Sequence, residues 1–183
     1  MTDLLAFPAD GFEARWTRWD GGDTESLALR WENEAWTAVV HLDREDVDYV
    51  VRLSPLWQVR QLLLFRDLDE PDLWLGTDGR GRWGEVNGAH RPDLDGAHDV
   101  FVGGSVFALA LPIRRLPLQV GHASDVTALD IDVENLGVVR AHHGYQRLAE
   151  HRWAVSLGDE RVEFDVDAYG LPHDVDGVGR RLH

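Results

Sequence analysis

Residues 36–54 read WTAVVHLDREDVDYVVRLS, and this stretch decides the class of fold. In residues 36–43 and again in 47–54, every second side chain is apolar and shares one face of the chain. These side chains are Trp36, Ala38, Val40 and Leu42 in the first run, and Val47, Tyr49, Val51 and Leu53 in the second. Alternation with a period of two is the pattern of a β-strand that buries one face. The stretch therefore predicts two strands.

The same alternation extends along most of the chain. Residues 27–32 form a third run, which the short linker Glu32-Asn33-Glu34 joins to 36–43 as a hairpin. In 57–66 we predict one face with Val59, Leu63 and Phe65, and a second face that is also half apolar. Further strands are predicted at 126–133, 138–146, 152–157 and 162–166. So many strands with so few helical stretches predict a mainly β protein with an antiparallel sheet.

Two segments interrupt the strands. Residues 87–99 (NGAHRPDLDGAHD) have the composition of a loop, and the apolar residues 105–111 (SVFALAL) fit either a helix or a strand. Residues 79–84 match the GxGxxG pattern of dinucleotide-binding proteins, but no helical run follows them. Because Asp78-Gly79 is a strong turn signal, we predict a hairpin within residues 73–86. A strongly curved sheet of this length would enclose an apolar hollow.

Charge and composition exclude several classes of function. The 183 residues carry 33 acidic and 18 basic groups, a net charge of −15, and no cysteine. The absence of Cys removes disulfides, thiol nucleophiles and zinc–thiolate sites, and the negative charge argues against nucleic acid and anionic membrane surfaces as partners. Without a cationic leader or a long apolar stretch, the sequence predicts a cytoplasmic protein with no membrane span. The acidic surplus fits genome-level coding bias or a high-salt habitat.

Polar clusters offer one enzymatic reading. Asp95, His98 and Asp99 in the 87–99 loop are candidates for the acid–base groups of a hydrolase or isomerase, but the favoured reading is a polar loop whose carboxylates cap turns or pair with arginines. His142 and His143 are adjacent on a strand and should point to opposite faces. We therefore predict no metal site and no cofactor.

The most unusual charges are Arg114 and Arg115, inside the apolar stretch LPIRRLPL at 111–118. If this stretch is extended, one of the two side chains points inward and needs a carboxylate partner, for which Asp95 and Asp99 are the nearest candidates. The pair serves either as structural ion-pair partners or as contacts to a ligand head group. The 8 Trp residues are a second outlier, since indoles form cores and also stack on sugars or acyl chains.

These motifs together resemble a bacterial family described as putative glycolipid-binding proteins, over a span from about Trp16 to near the C-terminus. The resemblance is carried mainly by LPIRRL at 111–116, with further elements at Asp95-Gly96-x-x-Asp99-Val100, Tyr145-Gln-Arg-Leu148, Asp167-x-x-Gly170-Leu171, the Tyr49…Trp57…Arg60 spacing and the Leu73…Asp78…Trp83 hairpin. It implies one domain over residues 1–183. It also implies a single strongly curved antiparallel sheet, similar to the half-barrel of the Lol-type lipoprotein carriers, with short helices over the open side. Ala97 stands where that family has Cys, and residues 107–110 are apolar where it has Thr-Asn-Thr, which makes the expected cavity wall more apolar.

The sequence and the resemblance together predict a soluble, non-catalytic protein that holds a lipid or glycolipid in an apolar cavity. We expect a neutral glycolipid, because the exterior is strongly acidic. The residues expected at the wall or mouth of the cavity are Trp57, Asp99, Arg114, Arg115 and Tyr145. Two alternatives stay open, namely the enzyme that uses Asp95, His98 and Asp99, and a structural interaction module whose hollow is filled by its own side chains.

Overall fold

The structure, a computed structural model, describes residues 4–67 and 70–183. Strands occupy 51% of the described residues and helices 7%. In chain order the strands are β1 (Phe12–Arg18), β2 (Thr24–Glu32), β3 (Ala35–Leu42), β4 (Val47–Leu53), β5 (Val59–Phe65), β6 (Leu73–Thr77), β7 (Trp83–Glu85), β8 (Asp99–Val102), β9 (Ala123–Ile131), β10 (Val138–Ala149), β11 (Arg152–Leu157), β12 (Glu160–Asp165) and β13 (Gly179–Leu182). The helix α1 (Ala110–Arg115) follows a 3-10 turn at Phe107–Leu109, and a second 3-10 turn covers Pro92–Leu94.

The strands form two sheets. The larger sheet is antiparallel throughout and has the order β13-β1-β2-β3-β4-β5-β6-β7. The smaller sheet, β12-β11-β10-β9-β8, curls into a half-barrel, and its β8–β9 pair is parallel. The mainly β, antiparallel, half-barrel fold is thus confirmed, but with two sheets instead of one. Parallel neighbours need a long crossover, and the chain makes that crossover with α1 between β8 and β9.

Alternation set the buried face of the larger sheet. Cross-strand register aligns Leu27, Val40, Tyr49 and Leu64 in one buried row, and Leu29, Ala38, Val51 and Leu62 in the next. Such rows of facing side chains are the unit of packing in a sheet. The faces predicted for 27–32, 36–43 and 47–54 are therefore confirmed.

Strand β5 differs from its predicted face. Arg52 pairs with Gln61 while Leu53 pairs with Val59, so Arg60 is an extra residue in the ladder. A bulge of one residue moves the following side chains to the other face of the sheet. Leu62 and Leu64 consequently point into the core, and the predicted grouping of Val59 with Leu63 and Phe65 is wrong.

The remaining predicted strands are confirmed, with boundaries shifted by a few residues. Residues 79–84 lie in the β6–β7 hairpin, as the Asp78-Gly79 turn predicted. Strands β1, β8 and β13 were not predicted. β13 pairs with β1, which carries the buried Ala14 and Trp16. Their pairing places the end of the chain at one edge of the larger sheet.

The hollow predicted inside the curved sheet is filled. Its space is taken by the largest fully buried side chains, among them Trp16, Trp83, Trp153, Tyr49, Tyr145, Phe107 and Phe164. Two small, partly enclosed spaces, one beside Glu25 and one beside His98, hold only about 20 Å³ and 40 Å³. The first has room for about one water molecule. The described residues therefore give no support to an interior lipid cavity, because aromatic side chains occupy that volume.

Candidate functional site

A surface cleft opens where the loop between β4 and β5 meets the end of α1. We call it the arginine cleft, and its volume is about 470 Å³. Pockets of this size accommodate small ligands in many proteins. It is lined by Ala6, Phe7, Trp36, Pro55, Leu56, Trp57, Gln58, Arg114 and Arg115. Three of the predicted site residues, Trp57, Arg114 and Arg115, thus lie together.

A tight loop fixes Trp57 at one wall of the arginine cleft. Ser54 Oγ accepts hydrogen bonds from the backbone N–H groups of Leu56 and Gln58, both at 3.2 Å, and Trp57 N–H donates to Ser54 O at 2.9 Å. This turn holds Trp57 at φ +63°, in the left-handed region that bulky residues rarely adopt. Such a conformation costs about 1–3 kcal/mol and persists only where its surroundings hold it. Contacts of the indole with Phe7 and Trp36 supply that support, at ring-centroid distances of 5.4 and 6.4 Å.

Helix α1 presents the two arginines at its last turn. Residues 107–113 are buried, rich in Ala and Leu, and favour a helix. Pro112 lies in the first turn, where its missing N–H costs no helical hydrogen bond. Leu116 precedes Pro117 and is extended (φ −81°, ψ 127°), which ends the helix. The prediction that residues 111–118 are extended is therefore wrong. Both arginine side chains are half-buried, instead of one pointing inward and one outward.

Arg114 packs against two aromatic rings that also contact each other. Its guanidinium carbon lies 4.4 Å from the ring centroids of both Phe7 and Trp57. The guanidinium donates to the backbone carbonyls of Tyr169 and Leu5, whereas its buried Nε has no acceptor among the described residues. Burial lowers the pKa of Arg114 to about 10, against the opposing effect of the Asp167 charge. A cation that depends on rings and neutral carbonyls is well placed to gain from an incoming ligand.

Arg115, in contrast, has a carboxylate partner. Its guanidinium donates two hydrogen bonds to the carboxylate of Asp99 on β8, and the bond from Nε to Oδ1 is 3.1 Å long. The Asp99 side chain is 1% exposed and that of Arg115 is 22% exposed. Two-point contact between guanidinium and carboxylate is a strong and directional pairing. Asp99, one of the two predicted partners, thus positions Arg115 from beneath the cleft without lining it.

The N-terminal segment completes the cleft. Leu5 N–H donates to Ala168 O at 2.8 Å, and Phe7 stacks on Tyr169 with ring centroids 5.0 Å apart. These two contacts place the Phe7 ring against the Arg114 guanidinium. Phe7 was not predicted as a site residue, because its neighbours in sequence show no alternation or motif that would indicate the contact.

A buried carboxylate anchors the start of the helical segment. Glu25 on β2 accepts hydrogen bonds from Ser105 Oγ at 2.6 Å and from the backbone N–H groups of Val106 and Phe107 at 2.6 and 3.0 Å. The Tyr49 hydroxyl lies 2.6 Å from Ser105 Oγ. Burial raises the pKa of Glu25 despite these bonds, and raises the pKa of Tyr49 well above its ordinary value. Glu25 therefore ties the segment that bears the two arginines to the sheet.

Stability is expected to depend on pH through Glu25. Because the folded state raises its pKa above 4.5, the folded protein binds the proton more tightly than the unfolded chain. The stability that this proton contributes is present below pH 4.5 and is lost as pH rises through the raised pKa. Denaturation at several pH values should therefore show the wild type losing stability relative to Glu25→Gln as pH increases. A constant difference between the two proteins would contradict the shift.

Tyr145 does not reach the mouth of the cleft. It lies on β10 between Ser124 and Val155 of the neighbouring strands and is 1% exposed. Burial and the charge of Asp99 raise its pKa well above the ordinary value. The structure places Tyr145 in the core and not at the arginine cleft, because the alternation along β10 turns its side chain inward.

The three residues of the enzymatic alternative do not converge. Asp95 Oδ2 lies 2.8 Å from His90 Nε2, Asp99 is paired with Arg115, and His98 is exposed. In the described part of the chain, no hydrogen bond joins any two of them, and no cluster of three His, Asp or Glu residues is arranged to hold a metal. The geometry gives no support to catalysis by this group.

The two adjacent histidines separate as predicted. His143 is buried, with Nε2 2.8 Å from Asp130 Oδ1, whereas His142 is exposed on the opposite face, with Nδ1 3.2 Å from the Thr127 hydroxyl. Within 4–67 and 70–183, no helix combines the length and the apolar character needed to cross a membrane.

Comparison with known proteins gives a family. No curated protein matches the sequence. The crystal structure of a DUF1089 family protein from Pseudomonas aeruginosa, at 1.80 Å resolution, is similar over 98% of this chain and 96% of its own, with 26% identity and a TM-score of 0.71. A family model described as "Putative glycolipid-binding" matches residues 13–181. Since that match covers nearly the whole chain, the protein belongs to the putative glycolipid-binding family.

Proposed function

We propose that the protein binds a glycolipid-like amphiphile in the arginine cleft without catalysing a reaction. The observation that carries the proposal is the guanidinium of Arg114, packed against both Phe7 and Trp57 at the wall of an open cleft of about 470 Å³. The description of the family supports the class of ligand. The packed interior leaves the surface as the place where such a ligand would bind.

The chemistry of the cleft suits both halves of an amphiphile. Leu56 lies on its rim with 73% of its surface exposed, and Trp36 and Pro55 continue the apolar wall. An alkyl chain laid along this wall gains about 0.8 kcal/mol for each buried methylene. The donors of Gln58 and Arg114 are suited to the hydroxyls of a sugar, and Trp57, which is 4% exposed, supports Arg114 from within the wall.

Other open clefts fit an amphiphile less well. A cleft of about 640 Å³ beside β9 is lined by Asp130, Asp132 and Glu134 together with Arg18 and Arg44. Burying an alkyl chain there would desolvate charged groups, which is costly. Its charged lining therefore makes this cleft a poorer candidate for an amphiphile.

A structural interaction module is the second candidate function. It is favoured by the filled interior, because a protein that carries a lipid inside a barrel needs space that aromatic side chains occupy here. It differs from the first proposal in predicting that the arginine cleft takes up no small amphiphile.

Titration with an alkyl glycoside tests the proposal. Decyl β-D-glucoside and decyl β-D-glucuronide, each kept below its critical micelle concentration, should produce a saturable change in tryptophan fluorescence, because Trp36 and Trp57 line the cleft. Calorimetric titration should show that Trp57→Leu weakens binding by at least about tenfold, because it removes one of the two rings that hold the Arg114 guanidinium at the cleft.

The matched control is Trp74→Leu. Trp74 lies on β6, is partly exposed, and does not line the arginine cleft. The Trp74→Leu substitution should leave the affinity for both glycosides unchanged. Cooperative unfolding curves like that of the wild type would show that both variants are folded. A flat titration with both glycosides would refute binding and favour the interaction module.

A further inference from the structure

We infer that the ligand of the arginine cleft carries an acidic group, which pairs with Arg114. This inference rests on the proposed function and adds the chemical class of the head group, namely a carboxylate or phosphate attached to an alkyl chain. It replaces the neutral head group expected from the overall charge.

The cleft is a basic site on an acidic protein. Although the chain has 33 Asp and Glu residues, none of the nine described residues that line the cleft is acidic, and two are Arg. The other open clefts both include carboxylates, such as Asp132 in the one beside β9 and Glu85 in the one beside β7. A cleft with arginines and no carboxylates favours the binding of an anion, because the nearest charges dominate the electrostatic energy of a bound ligand.

The two arginines of the cleft differ in whether a carboxylate balances their charge. Asp99 balances the charge of Arg115 through two hydrogen bonds. Arg114 makes no salt bridge within 4.0 Å to any carboxylate of the described residues, and the Asp167 carboxylate nearby is occupied by Arg181 and by the N–H groups of its own turn. The acidic group of an incoming ligand would therefore supply the anionic partner that Arg114 lacks.

Aromatic stacking makes Arg114 ready for this role. The rings of Phe7 and Trp57 contact its guanidinium and restrict its movement, so little freedom is lost when the partly exposed side chain meets an acid. A planar guanidinium matches the geometry of a carboxylate or phosphate. The net charge of −15 repels anions at long range, but at 0.15 M salt that repulsion is screened beyond about 8 Å.

A matched pair of ligands tests the inference. Decyl β-D-glucuronide differs from decyl β-D-glucoside only by a carboxylate in place of a hydroxymethyl group. At 0.15 M salt we expect the acidic glycoside to bind at least about tenfold more tightly, the scale of one charged hydrogen-bonded pair. Decyl phosphate tests the phosphate source, and glucuronate without a chain tests whether the alkyl group is needed.

Substitutions then locate the effect. In Arg114→Gln the ratio of the two affinities should fall to about one, and in Arg114→Lys part of the preference should remain. Arg152→Gln, an exposed arginine on β11 outside the cleft, should keep the full ratio while removing the same charge. Circular dichroism would confirm that each variant is folded.

The outcomes separate the two proposals. Equal affinity of the wild type for the glucoside and both acidic ligands would overturn the inference and leave the proposed function intact, even if no Arg114 variant folds. Binding of glucuronate as tightly as of decyl glucuronide would instead refute the proposed function, since the alkyl chain would contribute nothing and the ligand would not be an amphiphile. Absence of binding for all probes would refute the proposed function itself.

Discussion

Glu25→Ala should lower the free energy of unfolding by about 3 kcal/mol. The substitution removes the acceptor of the Ser105 hydroxyl and of two backbone N–H groups, at Val106 and Phe107, all in the buried core. Each buried donor left without a partner costs about 1–3 kcal/mol. The adjacent space of about 20 Å³ can admit a water molecule, which keeps the total toward the lower end of their sum.

Urea denaturation of both proteins measures this loss. Glu13→Ala is the matched control, because Glu13 is an exposed glutamate on the neighbouring strand β1. Its substitution should change stability by no more than about 0.5 kcal/mol. If Glu25→Ala were as stable as this control, the carboxylate would not anchor the helical segment, and the place of the two arginines would need another cause.

Arg115→Ala should cost a similar amount, about 3 kcal/mol, because it leaves the buried carboxylate of Asp99 without its partner. Asp99→Asn should cost less. In that variant the remaining charge is Arg115, whose side chain is 22% exposed and can turn toward water. The asymmetry follows from which of the two charges is left buried.

The double variant Asp99→Asn/Arg115→Ala completes the cycle. Its loss of stability should be smaller than the sum of the two single losses by about 1–3 kcal/mol, which is the coupling expected of contacting charges. Additive losses, or a larger cost for Asp99→Asn than for Arg115→Ala, would contradict the role assigned to this pair. Thermal unfolding and urea denaturation both report the quantity.

The arginine cleft changes where a binding function would reside in this fold. The sequence led to an interior cavity, yet the curved sheets close over a core filled with Trp, Tyr and Phe side chains. The cleft at Trp57 and Arg114 lies instead at the edge of that core, where loops and the end of α1 meet. Ligands bound there would remain partly in contact with solvent, so head-group chemistry would contribute strongly to selectivity.

Much of the candidate site was predictable. Arg114 and Arg115 stood out as charges in an apolar stretch, Asp99 was named as a partner, and Trp57 was part of the resemblance. Their convergence was not predictable in detail, because α1 was expected to be extended. The core position of Tyr145 and the contribution of Phe7 were not predicted, since both depend on contacts between parts of the chain that are far apart in sequence.

The sequence by itself determined the strands that alternate, the hairpin at Asp78-Gly79 and the mainly β class, because side-chain periodicity and turn preference are local properties. Only the tertiary structure decided three features: the division into two sheets, the bulge at Arg60 and the filling of the interior. Each depends on which distant segments compete for the same space and hydrogen bonds, and packing volume is a property of the whole core. For the same reason, only the folded chain shows that Asp99 satisfies Arg115 while Arg114 has two aromatic rings.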